Sequence, residues 1–179
     1  TSFGCNMLAL NGGRPEQLTL CAFLTAFLDF REDVVIRRTA YLLRKARDRS
    51  HILCGLAVAV SNVDEVVATI RSSADAAEAR EKLMTRRWPA VEIAAYIRLI
   101  DDPTHTMNDD GTYNLSESQA RAILELRLQR LTQIGVKEVT DELEELASKI
   151  KEYLEILGSR DRIMSIIGEE LIEVKDEYA

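Results

Sequence analysis

Cysteine, histidine, proline and glycine are all scarce in this chain of 179 residues, and each scarcity closes off a class of function. The three cysteines, Cys5, Cys21 and Cys54, are odd in number and widely spaced, with no CxxC pair among them. They frame neither a disulfide scaffold nor a structural zinc site, and they fit thiols in a reducing, cytoplasmic compartment. The two histidines, His51 and His105, lack the partners that a zinc site or a catalytic triad needs. His51 falls on a helical stretch, where packing or plain exposure is expected, and His105 falls in a polar loop. No apolar run approaches the roughly 20 residues of a membrane helix, and the N-terminus lacks the basic-then-apolar pattern of a signal peptide. Because the chain opens at Thr1 without methionine, we expect it to be a piece of a longer protein. With 3 prolines, 8 glycines and only 6% aromatic residues, little interrupts helices and few large side chains fill sheets, so long helices are expected.

What is abundant points the same way. The chain is 46% hydrophobic and 30% charged, rich in Leu, Ala, Glu and Arg, with a net charge of -7. An acidic balance excludes a surface that binds nucleic acid throughout. The charge is uneven, however. Residues 37 to 49 hold Arg37, Arg38, Arg44, Lys45, Arg47 and Arg49 against Asp48, while residues 137 to 178 hold 13 acidic and 6 basic side chains.

Residues 1–10 read as a strand, followed by a turn at Asn11, Gly12, Gly13 and Pro15. Thr19 suits the N-cap of a helix that runs to about Val60, with apolar residues at Leu20, Phe23, Leu24, Phe27, Val34, Tyr41, Leu42, Ile52, Leu53, Leu56 and Val60. At 1.5 Å per residue it spans roughly 60 Å. Shorter helices follow. Asn62 with Glu65, and Asp75 with Glu78, form capping boxes. Trp88-Pro89 opens a third helix, residues 101–115 form a polar loop, and Ser116 with Gln119 cap a helix that reaches Leu131. The last third repeats apolar residues at strict 3-4 spacing: Val136, Val139, Leu143, Leu146, Ile150, Tyr153, Leu157, then Arg160 as the one polar member, Met164, Ile167, Leu171, Val174 and Tyr178. That is a coiled-coil seam, and Gly158-Ser159 within it marks a bend and a candidate hinge.

The predicted fold is all-α: a long antiparallel coiled-coil hairpin with a small globular helical domain at its tip and a short N-terminal strand. Its segments are 1–17, strand and turn; 18–60, the outgoing helix; 61–134, the tip domain; and 135–179, the returning helix. One register puts Val60 beside Leu143 and Arg47 near Glu152 and Glu155.

Thr106 to Glu117 nearly matches a calcium loop through Asn108, Asp110, Gly111 and Glu117, but Thr106 stands where the first carboxylate belongs. An ordinary polar loop is the better reading. No nucleophile, base or cofactor loop converges, so no catalytic residue and no metal ligand is assigned.

Several ungapped stretches resemble the family of DNA gyrase A subunits, within the type IIA topoisomerases. These are Leu43-Arg44-Lys45-Ala46-Arg47-Asp48-Arg49 with His51-Ile52-Leu53 and Gly55-Leu56-Ala57-Val58-Ala59; then Leu115-Ser116-Glu117, Gln119-Ala120, Ala122-Ile123-Leu124 and Leu126-Arg127-Leu128-Gln129; and Ile156-Leu157-Gly158-Ser159 with Asp161-Arg162. The related A subunit of topoisomerase IV shares the fold, and the basic run is more like gyrase. The resemblance implies a coiled-coil arm ending in an exit gate, the C-gate, through which a transported DNA duplex leaves. It implies a homodimer joined at the tip, through Ile123, Leu124, Leu126, Arg127, Leu128 and Leu131, and a further partner, the gyrase B subunit, in an A2B2 holoenzyme. Arg37, Arg38, Arg44, Lys45, Arg47 and Arg49 are the DNA-facing candidates. The family cleaves DNA with a tyrosine that follows an arginine, and none of Tyr41, Tyr96, Tyr113, Tyr153 and Tyr178 does. The chain is therefore expected to be inactive alone and to need no cofactor, the ATP and Mg2+ belonging to the holoenzyme. Without the resemblance, a structural spacer or dimerisation module would fit the same pattern.

Overall fold

The computed structural model describes residues 4–100, 107–126 and 136–178. The chain is mainly helical. In order it runs β1 (Leu8–Asn11), β2 (Arg14–Gln17), α1 (Leu20–Ser61), α2 (Val63–Arg71), α3 (Ala76–Thr85), β3 (Arg87–Pro89), a 3-10 turn (Val91–Ile93), α4 (Ala94–Ile100), β4 (Thr112–Asn114), α5 (Glu117–Glu125), α6 (Val136–Gly158) and α7 (Arg160–Tyr178). It divides into two compact units. One comprises residues 1–42 and 153–179, the other residues 43–152, and α1 contributes to both.

In the first unit, the expected single strand is a hairpin. β1 pairs antiparallel with β2, Leu8 opposite Gln17 and Asn11 opposite Arg14. Gly12 and Gly13 both take positive φ, 58° and 80°, the two-residue turn whose twist suits a hairpin and which side chains resist. Pro15 therefore lies in a strand, not in the turn. The start of α1 is capped by Thr19, whose Oγ1 accepts the Ala22 N–H at 3.2 Å. Val35, Ile156, Ile163 and Ile167 form this unit's buried core, with Leu28, Tyr153 and Ile166 half-buried around it.

Two expectations fail here. Leu20, Phe23, Leu24 and Phe27 are exposed, not in a seam. The 3-4 repeat also shifts at Ile156, ahead of Gly158-Ser159, although Ile167 beyond it is buried as expected. Val139, Leu143 and Ile150 are buried as expected, with Leu146 and Tyr153 half-buried, but beyond them Ile156 is buried where Leu157 was expected and Ile163 where Met164 was. Arg160 leaves the seam for an ion pair with Glu32, its Nη2 3.0 Å from Oε2. Leu171, Val174 and Tyr178 are exposed.

The break between α6 and α7 has a local cause. Ser159 lies between the helices and its Oγ accepts the Arg162 N–H at 3.3 Å, a serine capping the following helix. Gly158 itself takes no left-handed φ, and a Cβ there would meet nothing within 4 Å. Its glycine is not required by the backbone. Gly158→Ala is therefore expected to keep the fold and raise stability by about 0.5–1 kcal/mol, from the lower chain entropy of alanine. Urea unfolding checks this; a loss of stability would mean that the break needs glycine after all.

In the second unit, Leu53, Ala57 and Val58 of α1, Leu83 of α3, Trp88, Tyr113, Ile123 of α5 and Leu143 of α6 share one core. Arg49 forks onto Glu142, at 2.8 and 3.1 Å. The expected register, with Val60 beside Leu143, is therefore displaced by roughly twelve residues along α1, about 18 Å.

The second predicted capping box forms only in part: Asp75 caps the helix by accepting the Glu78 N–H at 2.8 Å, but Glu78 accepts from the Ala74 N–H at 2.5 Å and not from Asp75. The backbone N–H and Lys82 hold the Glu78 carboxyl below the usual range. The first box does not form. Asn62 makes no cap and instead donates to the Val58 and Pro89 carbonyls, at 2.8 and 3.3 Å. Trp88-Pro89 opens no helix either. It lies in β3, with Trp88 opposite Tyr113 of β4, and helix begins only after Ala90. The helix from Ser116 ends at Glu125, short of Leu131.

Candidate functional site

The basic run lies on α1 and is divided by its surroundings. In the first unit, Arg37 is exposed and its Nε donates to the Asp33 carbonyl at 3.3 Å, while Arg38 pairs with Glu170 of α7 at 2.6 Å. In the second, Arg44 and Lys45 are exposed, Arg47 is half-buried with an Nε that no acceptor reaches, and Arg49 is bound to Glu142. Arg38 and Arg49 are thus spoken for by the acidic returning helices, whereas Arg37, Arg44 and Lys45 face solvent.

The predicted tip residues separate in the same way. Ile123 is 1% exposed and packed in the core of its own chain, so its side chain is not free for a partner. Leu124 and Leu126 are half-buried against that core. Arg127, Leu128 and Leu131 lie outside the described residues. Of the candidate hinge, Gly158 ends α6 and Ser159 separates it from α7.

The near-calcium loop is tied up internally. Asn108 Nδ2 donates to Thr112 Oγ1 and Asn114 Oδ1, both at 2.9 Å. Asp110 accepts from Thr112 and pairs with Arg87, which holds its carboxyl below the ordinary range, the Thr112 hydroxyl contributing most. Glu117 pairs with Arg80 and Arg121. The turn residue Gly111 has φ +77°. Asn108 and Asp110 thus brace the β3–β4 pair while Glu117 ties α3 to α5, rather than all converging on one centre.

The best-built polar arrangement grows from the predicted Ser116–Gln119 cap, but its links to α1 and Tyr113 were not legible in the sequence. Gln119, the N3 residue of the Ser116 capping box, is fully buried. Its Oε1 accepts the Ser116 N–H at 2.9 Å, completing the box. Its Nε2 donates to the His51 carbonyl of α1 at 2.6 Å and to the Tyr113 hydroxyl at 3.0 Å. His51 Nε2 lies 2.8 Å from Ser116 Oγ. Gly55, the one glycine inside α1, makes room: a Cβ there would lie 2.6 Å from both Cβ and Cγ of Gln119. A glycine within an otherwise glycine-free helix was the available signal; its partner, 64 residues away, was not visible.

The tyrosines fit structural duties. Tyr113 is buried in this network and Tyr41 and Tyr178 are exposed. Burial and the Glu144 carboxylate, 3.2 Å from its hydroxyl, push the Tyr96 phenol up, the wrong direction for a nucleophile. Burial likewise pushes the Cys54 thiol to about 12. Among the described residues, no group of three or more His, Cys, Asp or Glu is placed to hold a metal ion, and no single helix is long and apolar enough to cross a membrane.

Comparison with known proteins supplies what this geometry alone does not. A family model for the A subunit of DNA gyrase/topoisomerase IV matches residues 1–172. The chain belongs to the family of DNA gyrase/topoisomerase IV A subunits. It is 48% identical over 179 residues to the DNA gyrase A subunit of Rickettsia bellii (strain RML369-C), covering 100% of this chain and 20% of that protein. It is 49% identical to that of Rickettsia conorii (strain ATCC VR-613 / Malish 7), with the same coverage. To that of Haemophilus influenzae (strain ATCC 51907 / DSM 11121 / KW20 / Rd) it is 44% identical over 182 residues, 99% of this chain and 21% of that protein. The chain thus spans about a fifth of the length of these relatives.

Proposed function

We propose that this chain is the coiled-coil arm and exit-gate portion of a gyrase-type A subunit, non-catalytic by itself, through which a transported duplex leaves during ATP-dependent supercoiling. The observation that carries the reading is the family match over nearly the whole chain, falling on a 42-residue helix whose second half packs with α6. The outgoing helix is 18–60, the gate domain 61–134 and the returning helix 135–179. The gyrase B subunit, a second copy of the A subunit, and DNA are the partners in a cytoplasmic A2B2 enzyme. Cleavage belongs to an arginine-tyrosine pair elsewhere in the parent protein, since no tyrosine here follows an arginine.

Dimerisation through the tip is supported by the surplus of apolar side chains around α5 and just after it: Leu124 and Leu126 are only half-buried, and Leu128 and Leu131 follow. Ile123 no longer belongs to this set. A gate that holds against strand passage should bury at least roughly 1,000 Å² in a two-fold contact. Sedimentation of the chain should show a dimer at tens of micromolar that Leu126→Glu and Leu128→Glu dissociate without unfolding, while Ile123→Glu unfolds the 43–152 unit instead. A folded wild-type monomer at that concentration would rule out the gate and leave a spacer.

A further inference from the structure

Glu170 of α7 reaches two arginines of α1 at once. Its Oε2 is paired with Arg31 and its Oε1 lies 2.6 Å from Arg38 Nη2. We propose that Arg31 and Arg38 form a two-guanidinium phosphate site that Glu170 holds closed, and that a backbone phosphate of duplex DNA takes the place of its carboxylate. This rests on the reading of the chain as part of a DNA-passing arm.

The chemistry of the exchange is matched. A carboxylate presents two oxygens that share one negative charge. So does a phosphodiester, through its two non-bridging oxygens, and arginine forks serve either anion. Two guanidiniums against one carboxylate leave a surplus positive charge. Arg31 is also under-used, because its Nε is buried without a hydrogen-bond partner. Arg31 and Arg38 are seven residues apart, two turns of one helix face, with the buried Val35 between them. The site is therefore preset by α1 and does not depend on Glu170 for its spacing.

The closure is light. The paired side chains are 27%, 26% and 46% exposed for Arg31, Glu170 and Arg38, so solvent and salt weaken both pairs. On α7, Ile163 and Ile167 are the buried apolar anchors, and Leu171 to Tyr178 beyond Glu170 are exposed. The neighbouring charges decide the direction of the effect. Glu32 is held by Arg160, while the exposed Glu169 and Glu173 flank Glu170 on α7. With α7 in place DNA meets carboxylates; with Glu170 displaced it meets Arg31, Arg38 and the adjacent exposed Arg37.

The test uses the full-length gyrase-type A subunit, reconstituted into the holoenzyme and carrying a photoreactive azidophenylalanine in place of the exposed Tyr41, three residues past Arg38. Crosslinking to duplex DNA is read beside plasmid supercoiling. Glu170→Gln is expected to raise the crosslink yield roughly threefold to fivefold, the size of effect set by partly exposed ion pairs. Adding Arg31→Gln and Arg38→Gln should return it to the starting value or below. Glu170→Asp, too short to span both guanidiniums, gives an intermediate rise and serves if the glutamine variant misfolds. Yields that ignore all these substitutions, or no crosslink at all in a holoenzyme that supercoils, would overturn the phosphate site alone. A wild-type holoenzyme that fails to supercoil would overturn the gyrase-type reading beneath it.

Discussion

Gly55→Ala is expected to destabilise the 43–152 unit by about 2 kcal/mol, even though alanine is the better helix former. Taken as a local change, the substitution should stabilise α1 by about 1 kcal/mol. The tertiary contact reverses the sign. The new methyl would stand 2.6 Å from two carbons of Gln119 and 3.0 Å from a third, closer than packed carbons approach. Gln119 cannot swing aside cheaply, because it is fully buried and its amide is committed to Ser116, His51 and Tyr113. Moving it strands its own buried amide and leaves the Ser116 N–H short of a partner, at roughly 1–3 kcal/mol for a buried group. Moving α5 as a whole loosens Ile123 and Ala120 instead. Overpacking of this kind costs about 1–3 kcal/mol beyond any gain in propensity. Urea unfolding followed by circular dichroism measures the balance. Shortening Gln119 to alanine in the same chain should not restore stability, since its Cβ is one of the clashing atoms. A stabilised Gly55→Ala protein would show that α5 does not sit where this contact puts it.

Trp88→Ala should be more damaging still, by about 3–5 kcal/mol, the usual cost of deleting a buried large aromatic. Trp88 is completely buried opposite Tyr113 in the β3–β4 pair, and Arg86 lies over its ring at 4.8 Å. It also does a polar task. Its Nε1–H donates to the Leu83 carbonyl at 2.9 Å, in the last turn of α3, where carbonyls lack partners within the helix. One side chain thus fills the core and finishes a helix. Trp88→Phe should separate the two roles: it keeps most of the packing and loses the donor, for about 1–2 kcal/mol. Thermal unfolding of the three proteins gives the order. Equal losses for alanine and phenylalanine would assign the effect to the hydrogen bond, and no loss for phenylalanine would assign it to packing alone.

The functional residues were legible in part, and the pattern of success has a physical basis. A run of arginines announces itself by composition, but which of them remain available depends on opposing helices. Arg38 and Arg49 are engaged by Glu170 and Glu142, 132 and 93 residues distant, and Arg37, Arg44 and Lys45 are not so placed. Ile123 looked like a spare apolar residue because a helix hydrophobic on more than one face has no evident inside. Its burial in the core of the 43–152 unit, with α3 packed closely on α5, decided that question.

By itself the sequence determined the helical class, the uninterrupted α1, the seam through Val139, Leu143 and Ile150, and the caps at Thr19, Asp75, Ser116 and Ser159. Each depends on residues within a turn or two of one another, where spacing and side-chain chemistry are enough. The tertiary structure alone decided the pairing register, the strand at Trp88, the exposure of Leu20, Phe23, Leu24 and Phe27, the shift of the buried face from Ile156 onward and the seating of Gln119 on Gly55. Those depend on which distant surface meets which, and a helical repeat specifies a face without specifying its partner: sliding α6 along α1 keeps every apolar residue pointing the same way, and only the shapes and charges that then meet, such as Arg49 with Glu142, select one position.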